Sequence, residues 1–186
     1  PPRSTLFPYT TLFRSPCADN RNEVILVGSF LEDDVIEHIN NNNNIHPILN
    51  YQLPKDIKVI KFSEFNDTIK ENIDLIVIGV SSKGIEWVGE QLSKFYNEKK
   101  KILLLTKGLA VIENQFETLA DKLEKILNKN GTTNPKISAV GGPCLASGLA
   151  NRIKSSVVLA SKNIEIVKEI GKRSEEHTSE LQSQPD

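Results

Sequence analysis

Apolar positions along this chain fall into two alternating patterns. Short continuous apolar runs predict buried strands, and stripes spaced three or four residues apart predict helices. Residues 23–28 (EVILVG) form a first strand closed by glycine, and 31–40 (LEDDVIEHIN) a helix carrying Leu31, Val35 and Ile39. Asp33 and Asp34 suit that helix's first turn. A loop over 41–54, marked by Pro47 and Pro54, leads to a strand over 57–62. Ser63 is then read as the cap of a brief helix holding Phe65 and Ile69.

Residues 73–80 (IDLIVIGV) form the strongest strand, apolar throughout, as expected of a parallel sheet covered on both faces. Ser81 or Ser82 caps a helix to about Asn97, with Ile85, Val88, Leu92 and Phe95 on one stripe. Residues 101–105 (KILLL) give another buried strand. A helix is expected over 113–128, facing inward with Phe116, Leu119, Leu123, Ile126 and Leu127, and stopping near Gly131. Strands over 136–140 and 156–160 and a helix over 163–170 complete the series. Strands separated by helices imply crossover units, so the fold class is α/β: a Rossmann-like parallel sheet with helices on both faces.

Composition narrows the function. The 186 residues carry 23 basic and 24 acidic side chains, which argues against a nucleic-acid partner or a membrane surface. No apolar run approaches the roughly 18 residues of a membrane helix. Two cysteines, Cys17 and Cys144, form no disulfide framework, so a reducing, cytoplasmic setting is expected. The abundance of Lys, Ile and Asn, including the run Asn40–Asn44, fits AT-rich coding.

The two ends differ from the middle. Residues 5–15 (TLFPYTTLFRS) and 173–183 (RSEEHTSELQS) follow neither period. Both resemble translated sequencing-adapter sequence. The chain also has no Met. The expectation is that 1–15 and 173–186 are adapter-derived and disordered, and that 16–172 is a truncated domain. The ends hold three basic and four acidic residues, so the middle is neutral.

In parallel sheets ligands sit beyond the carboxyl ends of the strands. That rule singles out Ser29 after Gly28, Ser81 with Ser82, the turn Thr106-Lys107-Gly108, and the segment 141–146 (GGPCLA). From the residues alone, Lys107 reads either as a solvated lysine or as a cation aimed into the crevice. Gly141-Gly142 reads equally as a tight turn or as a place where backbone approaches a ligand. Cys144 reads as a weak thiol contact or a small buried side chain. No paired histidine supports a catalytic thiol. His46 reads as structural or exposed, and Trp87 as core or interface packing.

The strand ending TKG (106–108), the segment 138–150 (SAVGGPCLASGLA), the HP…LP loop (His46, Pro47, Leu53, Pro54) and the VVLAS strand together resemble the bacterial NAD(P)-dependent glycerol-3-phosphate dehydrogenase family. The resemblance covers about 18–171. It implies an oxidoreductase that interconverts glycerol 3-phosphate and dihydroxyacetone phosphate, with NAD or NADP as cofactor. A phosphorylated small molecule is the implied partner, and a homodimer the implied assembly. By the same resemblance Lys107, Gly142 and Cys144 bind substrate. Lys107 and Ala146 bind cofactor by the resemblance, and Ser29 and Ser81 are assigned to cofactor from their places at strand ends. The Cys departs from the Ser or Thr usual at its position.

No residue is assigned to a metal, and none in this stretch to the catalytic acid/base, which the family carries on a lysine of its C-terminal domain. The family's first strand and Gly-rich turn are missing. The strand end at Gly28-Ser29-Phe30 shows neither an adjacent acid nor an Arg, so NAD and NADP stay undistinguished. Two other readings remain open. One is another two-domain dehydrogenase, of the ketopantoate reductase or sugar-acid type. The other is a nucleotide-sensing Rossmann module without catalysis.

Overall fold

The computed structural model describes residues 22–48, 50–112, 114–142 and 157–174. The chain order begins β1 (Ile25–Val27), α1 (Asp33–Asn41), β2 (Ile45–His46), β3 (Tyr51–Gln52), β4 (Lys58–Ile60) and α2 (Asp67–Glu71). It continues with β5 (Leu75–Ile78), α3 (Ile85–Leu92), β6 (Lys101–Leu104), β7 (Leu109–Ile112), β8 (Gln115–Thr118) and α4 (Leu119–Lys129). It ends with β9 (Ile137–Gly141), β10 (Val158–Ser161) and α5 (Ile164–Ser174). This is the expected α/β architecture.

The main sheet runs β10-β9-β6-β5. β5, β6 and β9 are parallel, with Ile76 opposite Ile102 and Leu103 opposite Ser138. Side chains alternate across a strand, and β6 uses both faces. Ile102 and Leu104 pack with Ile85 and Leu92 of α3 and Leu119, Leu123 and Leu127 of α4. Leu103 points the other way, onto Ile166 and Ile170 of α5. Helices therefore cover both faces of this sheet.

A second, two-stranded parallel sheet pairs β1 with β4. Its core is Leu26, Ile36, Ile39, Leu53, Ile57 and Val59. Gly28 ends β1 where α1 lies so close that a Cβ would meet Ile36 Cγ1 at 2.7 Å. Aromatic rings join the two halves. Trp87 of α3 lies 5.4 Å from Phe30 and 5.0 Å from Phe62, and Phe65 lies 5.5 Å from Phe95.

Five local expectations need correction. The helix expected from 113 begins only at Leu119, because β7 and β8 pair as an antiparallel hairpin turning at Asn114 (φ 62°). Thr118 sets the helix start by accepting the Asp121 N–H at 3.1 Å. Phe116 then lies on the hairpin and is 78% exposed rather than inward-facing. β10 joins β9 antiparallel, so the sheet is mixed at that edge.

Asn66 rather than Ser63 caps α2, accepting the Ile69 N–H at 3.1 Å. Residues 41–54, expected as loop, contain the β2–β3 hairpin. The helix after Ser81 also starts later and ends earlier than its stripe suggests, at Ile85 and Leu92.

Lys100 is an unusual buried cation, 3% exposed. Its ammonium donates to the carbonyls of Lys70 (2.6 Å), Glu71 (3.3 Å) and Ile73 (3.3 Å). It thereby satisfies acceptors at the C-terminal end of α2 and beyond, where a positive charge is favoured. Among the described residues, no helix is long and apolar enough to cross a membrane.

Candidate functional site

The parallel register of β5, β6 and β9 brings their carboxyl ends to one edge of the sheet. Val80-Ser81, Thr106-Lys107 and Gly141-Gly142 follow these ends directly. Thr106 locks the first two together by donating its hydroxyl to the Val80 carbonyl at 2.6 Å. Lys107, exposed, donates its ammonium to the Gly142 carbonyl at 2.5 Å. Two residues singled out 35 positions apart are thus joined directly.

Gly142 takes φ 109°, a conformation open to glycine and strained for other residues. That backbone turns its carbonyl to the lysine. The site edge therefore has a cation held against a peptide carbonyl, in reach of an incoming anion. An ammonium has three donors, so two remain for other acceptors beside this carbonyl.

Ser29 lies at the end of β1. Its backbone N–H donates to Glu32 Oε2 at 2.7 Å, and its hydroxyl accepts the Leu31 N–H at 3.4 Å. Glu32 thus folds back to the strand end, although it stands three residues further along. The signal was present as Ser29-x-x-Glu32, the spacing of a capping box. Ser29 and Glu32 line a cavity of about 600 Å³ together with Gly28, Gly79 and Val80.

Ser81 precedes the turn Ser82–Gly84, and its carbonyl accepts the Gly84 N–H at 2.8 Å. Its side chain makes no cap hydrogen bond. Cys144 and Ala146 lie outside the described residues. Trp87 is placed by the structure in the aromatic bridge between the two sheets. His46 is fully buried, and its Nδ1 accepts the Ile48 N–H at 3.3 Å. Burial pushes its pKa down, and the nearby His38 adds to this against its own backbone hydrogen bond. It is a structural histidine of the β2–β3 hairpin.

Comparison with known proteins places this arrangement. Residues 11–167 match the sequence profile of the NAD-dependent glycerol-3-phosphate dehydrogenase N-terminus. A glycerol-3-phosphate dehydrogenase, NAD(P)+, of Mesoplasma florum is 27% identical over 164 residues, which is 87% of this chain and 46% of that protein. Its counterpart in Rickettsia prowazekii is 31% identical over 166 residues, 87% of this chain and 48% of that protein. The chain therefore spans about half the length of these relatives.

Among solved structures, glycerol-3-phosphate dehydrogenase from Coxiella burnetii superposes with a TM-score of 0.72 at 21% identity, covering 91% of this chain and 49% of that one. The Plasmodium falciparum enzyme gives 0.72 at 18%, covering 90% and 47%. These two likenesses establish the Rossmann-type fold. The chain belongs to the NAD-dependent glycerol-3-phosphate dehydrogenase family and corresponds to its N-terminal portion.

Proposed function

We propose that this chain, within 16–172, is the dinucleotide-binding part of an enzyme that interconverts glycerol 3-phosphate and dihydroxyacetone phosphate using NAD(H) or NADP(H). The observation that carries this reading is the Lys107–Gly142 contact at the carboxyl edge of the sheet. A cation there suits a substrate that is both anionic and carbonyl-bearing. The ammonium neutralises phosphate charge or stabilises the negative charge that grows on the carbonyl oxygen as hydride arrives. The nicotinamide supplies or accepts that hydride when bound.

The remaining assignments follow the same edge. Gly142 is assigned to substrate and Ser29 and Ser81 to the cofactor; Cys144, for substrate, and Ala146, for cofactor, carry the roles that the family resemblance implies. Glu32, held at the end of β1, supports a preference for NAD(H). A carboxylate at that position accepts hydrogen bonds from ribose hydroxyls and repels a 2′-phosphate. The setting is the cytoplasm, and the assembly a homodimer.

The test is a full-length protein carrying this sequence, assayed for reduction of dihydroxyacetone phosphate. Lys107→Ala is expected to lower kcat/KM by about 100-fold or more. Its thermal midpoint should stay unchanged, because the side chain is exposed. An unaltered rate removes Lys107 from the site. Glu32→Gln is expected to raise the ratio of NADPH to NADH efficiency, and a fixed ratio refutes its role in cofactor choice.

A further inference from the structure

At the carboxyl end of β6, side chains replace the main-chain rungs of the sheet. Rungs in a parallel pair are evenly spaced along the strands. Between β5 and β6, the Lys101 N–H donates to the Asp74 carbonyl at 2.8 Å and the Leu105 N–H to the Ile78 carbonyl at 2.8 Å. The same offset puts the Lys107 N–H opposite the Val80 carbonyl. Between β6 and β9, the Ile102 N–H donates to the Lys136 carbonyl at 2.8 Å, an offset that puts the Gly108 N–H opposite the Gly142 carbonyl. Among the described residues, neither of these two rungs forms. Each acceptor is taken by a side chain instead. Val80 receives the Thr106 hydroxyl at 2.6 Å, and Gly142 the Lys107 ammonium at 2.5 Å.

The chain thus leaves both neighbours at one level, and its own side chains cap the acceptors it abandons. The two replacements differ in kind. Thr106 is half-buried, and its branched side chain is stiff. Lys107 is exposed and long, with donors to spare for a ligand. A partly buried carbonyl that loses its donor is costly. Without the hydroxyl, the Val80 carbonyl would draw in the Lys107 N–H, the donor that stands next in register. That rung would lengthen β6 and pull Lys107 into line with the sheet, away from Gly142.

We infer that Thr106 is the positioning residue of Lys107. Its hydroxyl occupies the Val80 carbonyl, keeps the Lys107 main chain out of the ladder, and so sets the ammonium at the strand-end crevice. Val80 directly precedes Ser81, so the same bond also fixes the start of that turn. One hydroxyl therefore ties the turn assigned to the cofactor to the lysine assigned to substrate. The consequence for turnover rests on the proposed function of Lys107. The positioning itself rests on the register alone.

The test compares Thr106→Val, which keeps the branched shape and removes the donor, with Thr106→Ser, which keeps the donor. Amide exchange is measured on the 186-residue chain. Thr106→Val is expected to slow exchange of the Lys107 N–H by about tenfold or more, as that group takes over the Val80 carbonyl. Lost packing alone would only speed exchange, so the sign identifies the cause. Thr106→Ser is expected to leave the Lys107 N–H as fast as in the unaltered chain. In a full-length protein carrying this sequence, Thr106→Val is expected to lower kcat/KM for dihydroxyacetone phosphate about tenfold or more, and Thr106→Ser to keep most of it. If Thr106→Val loses protection throughout β6, Thr106→Ala carries the same comparison. Lys107 exchange left unslowed in the variants without the hydroxyl, or slowed equally in Thr106→Ser, overturns the inference. Slowed exchange with an unchanged rate upholds the positioning and removes Lys107 from the reaction, which keeps the two failures apart.

Discussion

The two halves of this molecule solve the problem of core building differently. The β5–β6–β9–β10 sheet has apolar side chains on both faces and a helical layer against each. The β1–β4 sheet has two strands, one long helix and a single core. A pair of strands is marginal by itself in water. The smaller half therefore leans on its contacts with the larger one, and these are concentrated in a few aromatic rings. The comparison teaches that the strand-end turns of β5, β6 and β9 sit on a self-sufficient scaffold. The turn holding Ser29 and Glu32 sits on a dependent one.

Core truncations test this most strongly. Leu104→Ala, in the larger core, is expected to cost roughly 2–5 kcal/mol by urea unfolding and to lower protection throughout the main sheet. Leu26→Ala is expected to remove amide protection from β1 and β4 while β6 stays protected. Uniform loss across both sheets in the second variant would break the comparison.

Trp87→Ala attacks the bridge instead. Two ring pairs at about 0.5–1.5 kcal/mol each imply a loss of about 2 kcal/mol. That loss should appear as earlier opening of β1 and β4 in hydrogen exchange, with the β6 core little changed. Equal effects on both halves would show that the rings are ordinary core.

The smallest effect is a pH dependence centred on His46 in the smaller half. Burial lowers its folded-state pKa, so the folded chain binds the proton less readily than the unfolded one. Its contribution is complete above the ordinary value of about 6.5 and is lost as pH falls through the lowered folded value. Protonation also removes the Nδ1 lone pair that accepts the Ile48 N–H. Denaturation midpoints at pH 7.5 and 5.5 should therefore differ more for the unaltered chain than for His46→Asn. Matching differences would assign the pH effect elsewhere.

Legibility in the sequence varied with the range of the interaction involved. Strands 75–78 and 101–104 were plain because continuous apolar runs are local signals. The Phe116 error arose where two patterns overlapped. Helical spacing linked Phe116 to Leu119 and Leu123, yet Asn114 at positive φ and the Thr118 cap placed Phe116 on a hairpin. The antiparallel β10 was illegible, because the direction of a partner strand leaves no mark in its own residues. Lys107 and Gly142 were each picked out by their place at a strand end. That one donates to the other required the register of β6 with β9. Glu32 did not read as an adjacent acid, because an acid three residues beyond a strand looks like a helix-start residue until the turn folds it back.

By itself the sequence determined the alternation of strands and helices, the strand-end positions available to a ligand, and the family resemblance. Each of these depends on neighbouring residues or on short spacings. Tertiary structure alone decided that β1 pairs with β4 while β5 pairs with β6, that aromatic rings bridge the two halves, and that Lys107 meets Gly142. Those outcomes depend on which strand edges find each other across tens of residues. Local periodicity records that a strand will be buried; the order of pairing, set by the competition among edges, decides beside what.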